Sequence, residues 1–171
     1  MAAMVIDFMD NQEIERAHLL GLHTGNKIGA AIAAGWPQRI SSLMIAGHTH
    51  SLIADPQSRD AAIHALSDHY PPHYAEARVI DYLLGRHSIR AMYNAIFDFD
   101  FNAALAQLEA PTLVLELLTP DEAHHGEQAA KVCSLMKRAQ AASAENGDRS
   151  SLEKNPLAIV TPILDFLRSQ R

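Results

Sequence analysis

Cysteine is nearly absent: the 171 residues contain one, Cys133. An intrachain disulfide and a cysteine-built zinc site are therefore excluded. Cys133 sits in a helical pattern and reads as an ordinary thiol, not a nucleophile. Basic charge is also short. Lys and Arg number 14 against 20 Asp and Glu, for a net charge of -6, and no basic cluster stands out. This argues against a nucleic-acid surface. No apolar run reaches the roughly 18 residues of a membrane span. The N-terminus shows no basic start, apolar centre and small-residue cleavage site, so no secretory leader is expected. What remains is a chain that is 48% hydrophobic, enough for one folded domain with its own core. A cytoplasmic protein is expected, with no nucleic-acid partner and no membrane partner.

The apolar pattern divides the chain. Residues 2–10 read as a short helix with Met4, Val5, Phe8 and Met9 on one face. Residues 16–22 read as a buried strand, 24–35 as a small-residue helix that Pro37 ends, and 41–47 as a second strand. That is one strand–helix–strand unit, the building block of a parallel sheet. After Asp55 the texture changes. Residues 57–107 show helical stretches punctuated by Pro71-Pro72 and Gly85, and no convincing strand. Pro111 to Leu117 reads as a third strand, followed by a helix over about 121–138 with Ala129, Val132, Cys133, Leu135 and Met136 as its apolar side. Residues 139–145 stand where a last strand belongs, although they are Ala, Gln, Ser and Glu rather than branched apolar residues. Asn155-Pro156 signals the start of a final helix to about Ser169, with Pro162 inside it.

The junction of the first strand and its helix is Gly21-Leu22-His23-Thr24-Gly25. A strand that turns sharply into a helix favours small residues two places before and two places after the apex. The apex side chain is then pushed out above the sheet, where a substrate can reach it. This layout is a nucleophile elbow with histidine where serine is expected.

Further features follow in order: Trp36-Pro37-Gln38-Arg39-Ile40 leading into the second strand, Phe97-Asp98-Phe99-Asp100-Phe101, Ala110-Pro111-Thr112-Leu113-Val114-Leu115, Gly147-Asp148-Arg149, and Leu152-Glu153-Lys154-Asn155-Pro156. The ordered set resembles the α/β-hydrolase superfamily over nearly the whole chain, but only over the second half of that fold. The resemblance implies an α/β fold, a truncated, mostly parallel sheet with flanking helices. Residues 1–51 and 108–171 would form the core and 52–107 a helical cap insertion. It implies a hydrolase acting on a small organic molecule, without a cofactor. Members of the family usually carry about four more strands before the elbow, which bring one backbone donor of the oxyanion hole. With that flank bare, the sheet edge would expose unpaired backbone, and self-association or a partner chain is expected there.

At the positions matching the family's triad the chain offers His23, the Pro120-Asp121 pair and Arg149. Guanidinium stays protonated near neutrality, so Arg149 cannot be a general base. His23 can be a base or a nucleophile, and Asp121 or Glu116 can stand for the acid. The backbone N–H of Thr24, first in its helix, faces the place where an oxyanion forms. Two readings stay open. In one, a hydrolase takes an ester-like or carboxylate-bearing substrate with His23, Thr24, Asp121 and Arg149 in a non-standard set. In the other, an inactive truncated paralogue serves as a binding or interaction protein.

Ten histidines are many for this length, yet none forms a His-Glu-x-x-His motif. His48-Thr49-His50 could place two rings on one face, but two ligands do not make a metal site. His124-His125 point apart at a helix start. Asp98 and Asp100 alternate with aromatics and read as a hinge, while Tyr70, Tyr74 and Tyr82 read as cap packing or an entrance.

Overall fold

Apolar residues fill Ile40–Ala46 and Thr112–Leu117 with few polar breaks, the pattern of strands covered on both faces. In the computed structural model these are the two inner strands of a four-stranded sheet, β1-β2-β3-β4, parallel throughout. The structure describes residues 1–47, 57, 85, 87–88, 91–119, 127–148 and 151–170. The elements run α1 (Ala2–Asn11), β1 (Ala17–Leu22), α2 (Thr24–Gly35), β2 (Ile40–Ala46), α3 (Phe101–Ala106), β3 (Thr112–Leu117), α4 (Ala129–Cys133), β4 (Ala139–Ala144), α5 (Ser151–Lys154) and α6 (Leu157–Ser169). Leu22 pairs with Ala46, Ala46 with Leu115, and Leu115 with Ala142. All four strands therefore end on one side of the sheet.

Alternation along the strands sorts the core into two faces. On one, Met44, Ala46, Leu113, Leu115 and Leu117 pack with Ile159, Ile163 and Phe166 of α6. Those three helix residues stand at i, i+4 and i+7, one stripe facing the sheet. Pro162 lies inside α6 as expected and lacks the N–H that would bond one turn back. On the other face α2 lies close to the sheet. A Cβ added to Gly29 would come within 2.9 Å of Leu43 Cδ1, so glycine sets that spacing.

Two expectations need correction. The buried side of α1 is Ile6 and Met9, while Met4 and Phe8 are exposed. The helix expected over 121–138 is helical only at Ala129–Cys133 among its described residues, and 134–138 form turn and bend. β4 exists despite its composition. Its ladder to β3 is made of backbone groups, which Ala and Ser supply as well as Val does, and among the described residues it pairs on one side only.

The chain divides into two compact units, Met1–Thr49 with Asp100–Arg171, and His50–Phe99. Within the second, residues 91–98 are helical, Ile96 and Phe97 are buried, and the Tyr93 ring is tilted against Phe97 at 6.4 Å between centroids. In the first unit the Asp100 carboxylate caps α3 by accepting from the Ala103 N–H at 2.9 Å. That gives Asp100 a local structural task. Among the described residues no helix is long and apolar enough to cross a membrane.

Candidate active site

At the end of β1 the chain must leave the sheet and enter α2 within one residue. That residue is His23, with φ 51 and ψ -112. Side chains other than glycine rarely occupy this conformation, and holding one there costs about 1–3 kcal/mol. The backbone on either side of it is pinned. The His23 N–H donates to Ala46 O at 2.9 Å, and the Asn26 N–H donates to His23 O at 3.0 Å.

Gly21 permits the turn. A Cβ there would fall 2.6 Å from Gly25 O and 2.7 Å from Asn26 N, so the helix backbone occupies the space a side chain would need. Gly25 is different: an added Cβ meets nothing within 4 Å among the described residues. The steric rule behind the motif thus holds at its first glycine and not at its second.

Across from the turn, β2 is followed by Gly47 at φ 63. A Cβ at Gly47 would lie 2.8 Å from His23 Nε2 and 3.0 Å from its Cδ2. The tip of the imidazole therefore rests over Gly47. The buried Asn26 holds this corner. Its Nδ2 donates to Ala46 O at 2.9 Å and to Gly47 O at 3.0 Å, and its Oδ1 accepts from the Ala46 N–H at 3.1 Å. The sequence reading passed over Asn26. Its signal was the polar pair Asn26-Lys27 at the start of a helix whose later residues are all small or apolar.

Thr24 begins α2, whose first turn carries no acidic residue. The first amides of a helix have no partner within it and carry partial positive charge. At the same end of β3 lies Glu116, offered by the sequence as a stand-in acid. Its carboxylate accepts from the Gln128 N–H at 3.0 and 3.1 Å and from the Ala129 N–H at 2.6 Å. It caps α4 and closes the connection in which Asp121 lies. Burial, and then the Glu116 charge, push the Cys133 thiol above its ordinary pKa. A raised pKa disfavours the thiolate, as befits a thiol that is not a nucleophile.

Beyond β4, Gly147 wedges under the sheet, where a Cβ would meet Ala144 Cβ at 2.8 Å. The Asp148 N–H donates to Ser151 Oγ at 2.6 Å, and that hydroxyl donates to Asp148 Oδ1 at 3.2 Å. These bonds frame the loop that contains Arg149. Arg149 itself lies outside the described residues, as do Asp121, His48, His50, His124, His125, Tyr70, Tyr74 and Tyr82. Of the four site residues expected from the sequence, the structure thus places His23 and Thr24. Among the described residues no group of three His, Cys, Asp or Glu could hold a metal ion.

No protein-family model matches the chain. It is 22% identical over 198 aligned positions to the protein named "Putative carbamate hydrolase RutD" of Pseudomonas savastanoi pv. phaseolicola, across 99% of this chain and 74% of that one. Among solved structures it is similar to a hydrolase from Pseudomonas aeruginosa PA01, with a TM-score of 0.71 and 27% identity over 97% of this chain and 70% of that one. The esterase EaEST from Exiguobacterium antarcticum matches with a TM-score of 0.72 at 12% identity, over 98% of this chain and 72% of the esterase. A four-stranded parallel sheet flanked by helices, which follows these structures along almost all of its own length, gives the chain the α/β-hydrolase fold.

Proposed function

We propose that the chain hydrolyses a small ester-like or carboxylate-bearing molecule, with His23 as the reactive side chain. The observation that carries this reading is the apex geometry. A histidine is held at positive φ where a strand-to-helix turn projects it above the strand ends, the place where open α/β sheets bind ligands. In this reading His23 is the general base. It takes a proton from water, the hydroxide oxygen bonds to the substrate carbonyl carbon, and the carbonyl oxygen becomes an oxyanion beside the Thr24 N–H. The C–O bond to the leaving group then breaks, and the leaving group receives the proton from the imidazolium. Asp121 would orient the histidine, Arg149 would anchor a substrate carboxylate, and residues 52–107 would act as a cap. The hydrolase names of the similar proteins support the class of reaction.

The test is initial rates on a panel of small esters, with and without a free carboxylate. Turnover should vanish in His23→Ala, and Arg149→Ala should raise KM for the acidic members only. Rates for His23→Ala equal to the unmutated protein on every substrate would overturn the proposal.

A second reading is favoured by β1. Among the described residues this strand is an edge with no neighbour on its outer side, and Leu20 is 39% exposed on it. The chain would then be a binding protein whose open strand recruits a second copy or a partner chain. Particle mass by light scattering checks this: a monomer at high concentration that also gains no partner would count against it.

A further inference from the structure

We infer that Asn26 is a positioning residue for His23, acting through Gly47. In a parallel ladder each inner residue finds backbone partners on its neighbour. The last pair of the ladder is Leu22 with Ala46; beyond it β1 turns at His23, and the chain leaving β2 runs on to Gly47. The His23 N–H serves Ala46 O, and Gly47 O lies past the last pair, where β1 has already turned away. The Asn26 side chain supplies what is missing. An amide side chain carries one carbonyl and one NH2, the same groups as a peptide. Its carbonyl takes the Ala46 N–H, and its NH2 spans Ala46 O and Gly47 O. A side chain from the first turn of α2 thus ties the last residue of β2 to the residue that follows it.

The consequence reaches the imidazole. Asn26 is 2% exposed, so its three bonds form away from competing water. They hold the peptides on either side of Ala46 and Gly47, and with them the left-handed φ of 63 at Gly47. Gly47 is the surface on which the tip of His23 rests. The same helix turn holds the far side of the apex, because the Asn26 N–H donates to His23 O. One residue therefore binds both the backbone of His23 and the floor under its ring. The inference concerns the placement of His23 and holds whether or not His23 turns over substrate.

The test reads the ring directly. Long-range 1H–15N spectra of the histidine side chains are recorded for the full chain, with His23 assigned by its loss in His23→Ala. His18 is the internal control, since its Nδ1 lies 2.7 Å from Ser42 Oγ earlier on the same two strands. Asn26→Ala should shift the His23 cross-peaks and leave those of His18 in place. Gly47→Ala, which adds a methyl against Nε2, should shift the same cross-peaks without touching Asn26. Asn26→Ser is the substitute should the alanine variant not fold. His23 cross-peaks unchanged in a folded Asn26 variant, alongside a lowered Tm, would leave Asn26 a purely structural role and overturn the inference. Cross-peaks of His18 and His23 moving together would overturn it as well. Because this readout needs no turnover, its failure is separable from a failure of the hydrolase reading.

Discussion

Glu13 and His23 are the non-glycine residues at positive φ among those described, and they sit at opposite ends of β1. Glu13, at φ 54, belongs to a helix stop. The Ile14 N–H donates to Met9 O at 2.8 Å and the Glu13 N–H to Asp10 O at 3.1 Å, the paired bonds of a Schellman motif. Arg39 braces that stop from outside, donating to Glu15 O at 2.7 Å and Ile14 O at 2.8 Å and pairing with Asp10 at 2.7 Å. A glycine would serve there as well, since no feature of the stop uses the Glu13 side chain. His23 is no helix stop. It stands between a strand and a helix, its ψ of -112 is outside the left-handed helical well, and the tip of its ring lies against Gly47 after the end of β2. Similar φ values thus mark a dispensable local strain in one place and a retained one in the other. Strain that a glycine would relieve, yet that carries a titratable ring, points to a site.

The comparison breaks most visibly at Gly21. An alanine there would drive its methyl into the Gly25 carbonyl, and since backbone cannot swing aside, a loss of about 3 kcal/mol or more is expected by urea denaturation. Gly25→Ala should change stability by less than about 1 kcal/mol, and toward the stable side, because it adds a helix former in α2 where the described residues leave room. Equal losses in the two variants would show that the turn is not built as described.

A smaller effect is expected at the other end. Glu13→Gly should raise stability by a few tenths to about 1 kcal/mol, read as a Tm gain of roughly 1–3 °C. A loss would mean that the side chain has a task at the stop.

The smallest effect concerns Cys133. Burial and the Glu116 charge raise its pKa in the folded state. The unfolded chain therefore releases that proton first. The contribution to stability is full below the ordinary thiol range, about 8–9, and is lost as pH rises through it toward the raised folded value. Disulfide-exchange labelling should be slower in the folded protein than in urea across that range, and Glu116→Gln should speed it. Indifference to Glu116→Gln would show that the carboxylate charge does not reach the thiol.

Much of this fold could be read from the residues, for reasons that differ by element. The strand–helix–strand unit over 17–46 was legible because glycine, apolar runs and Pro37 each limit the backbone locally. β4 was faint because pairing to β3, not side-chain preference, makes it a strand. The helix α1 was legible, but not which of its apolar residues are buried, because they outnumber the positions that meet a neighbour and Met4 and Phe8 are left exposed. At the site, His23 announced itself by its flanking residues. Asn26 did not, since a buried amide and a surface amide are spelled alike, and only the path of the chain from Ala46 to Gly47 gives it work. Glu116 left a better trace, a lone charge in an apolar strand, but its duty to the Gln128 and Ala129 amides depends on where a distant segment returns.

The most direct test of the contrast is the thermal unfolding curve of His23→Gly beside that of the unmutated chain, with hydrolysis of the ester panel followed on the same samples. Glycine accepts φ 51 and ψ -112 without strain, so the Tm should rise, by an amount corresponding to about 1 kcal/mol, while turnover disappears. A fall in Tm with turnover intact would contradict the account, because His23 would then be stabilising the turn and taking no part in the chemistry.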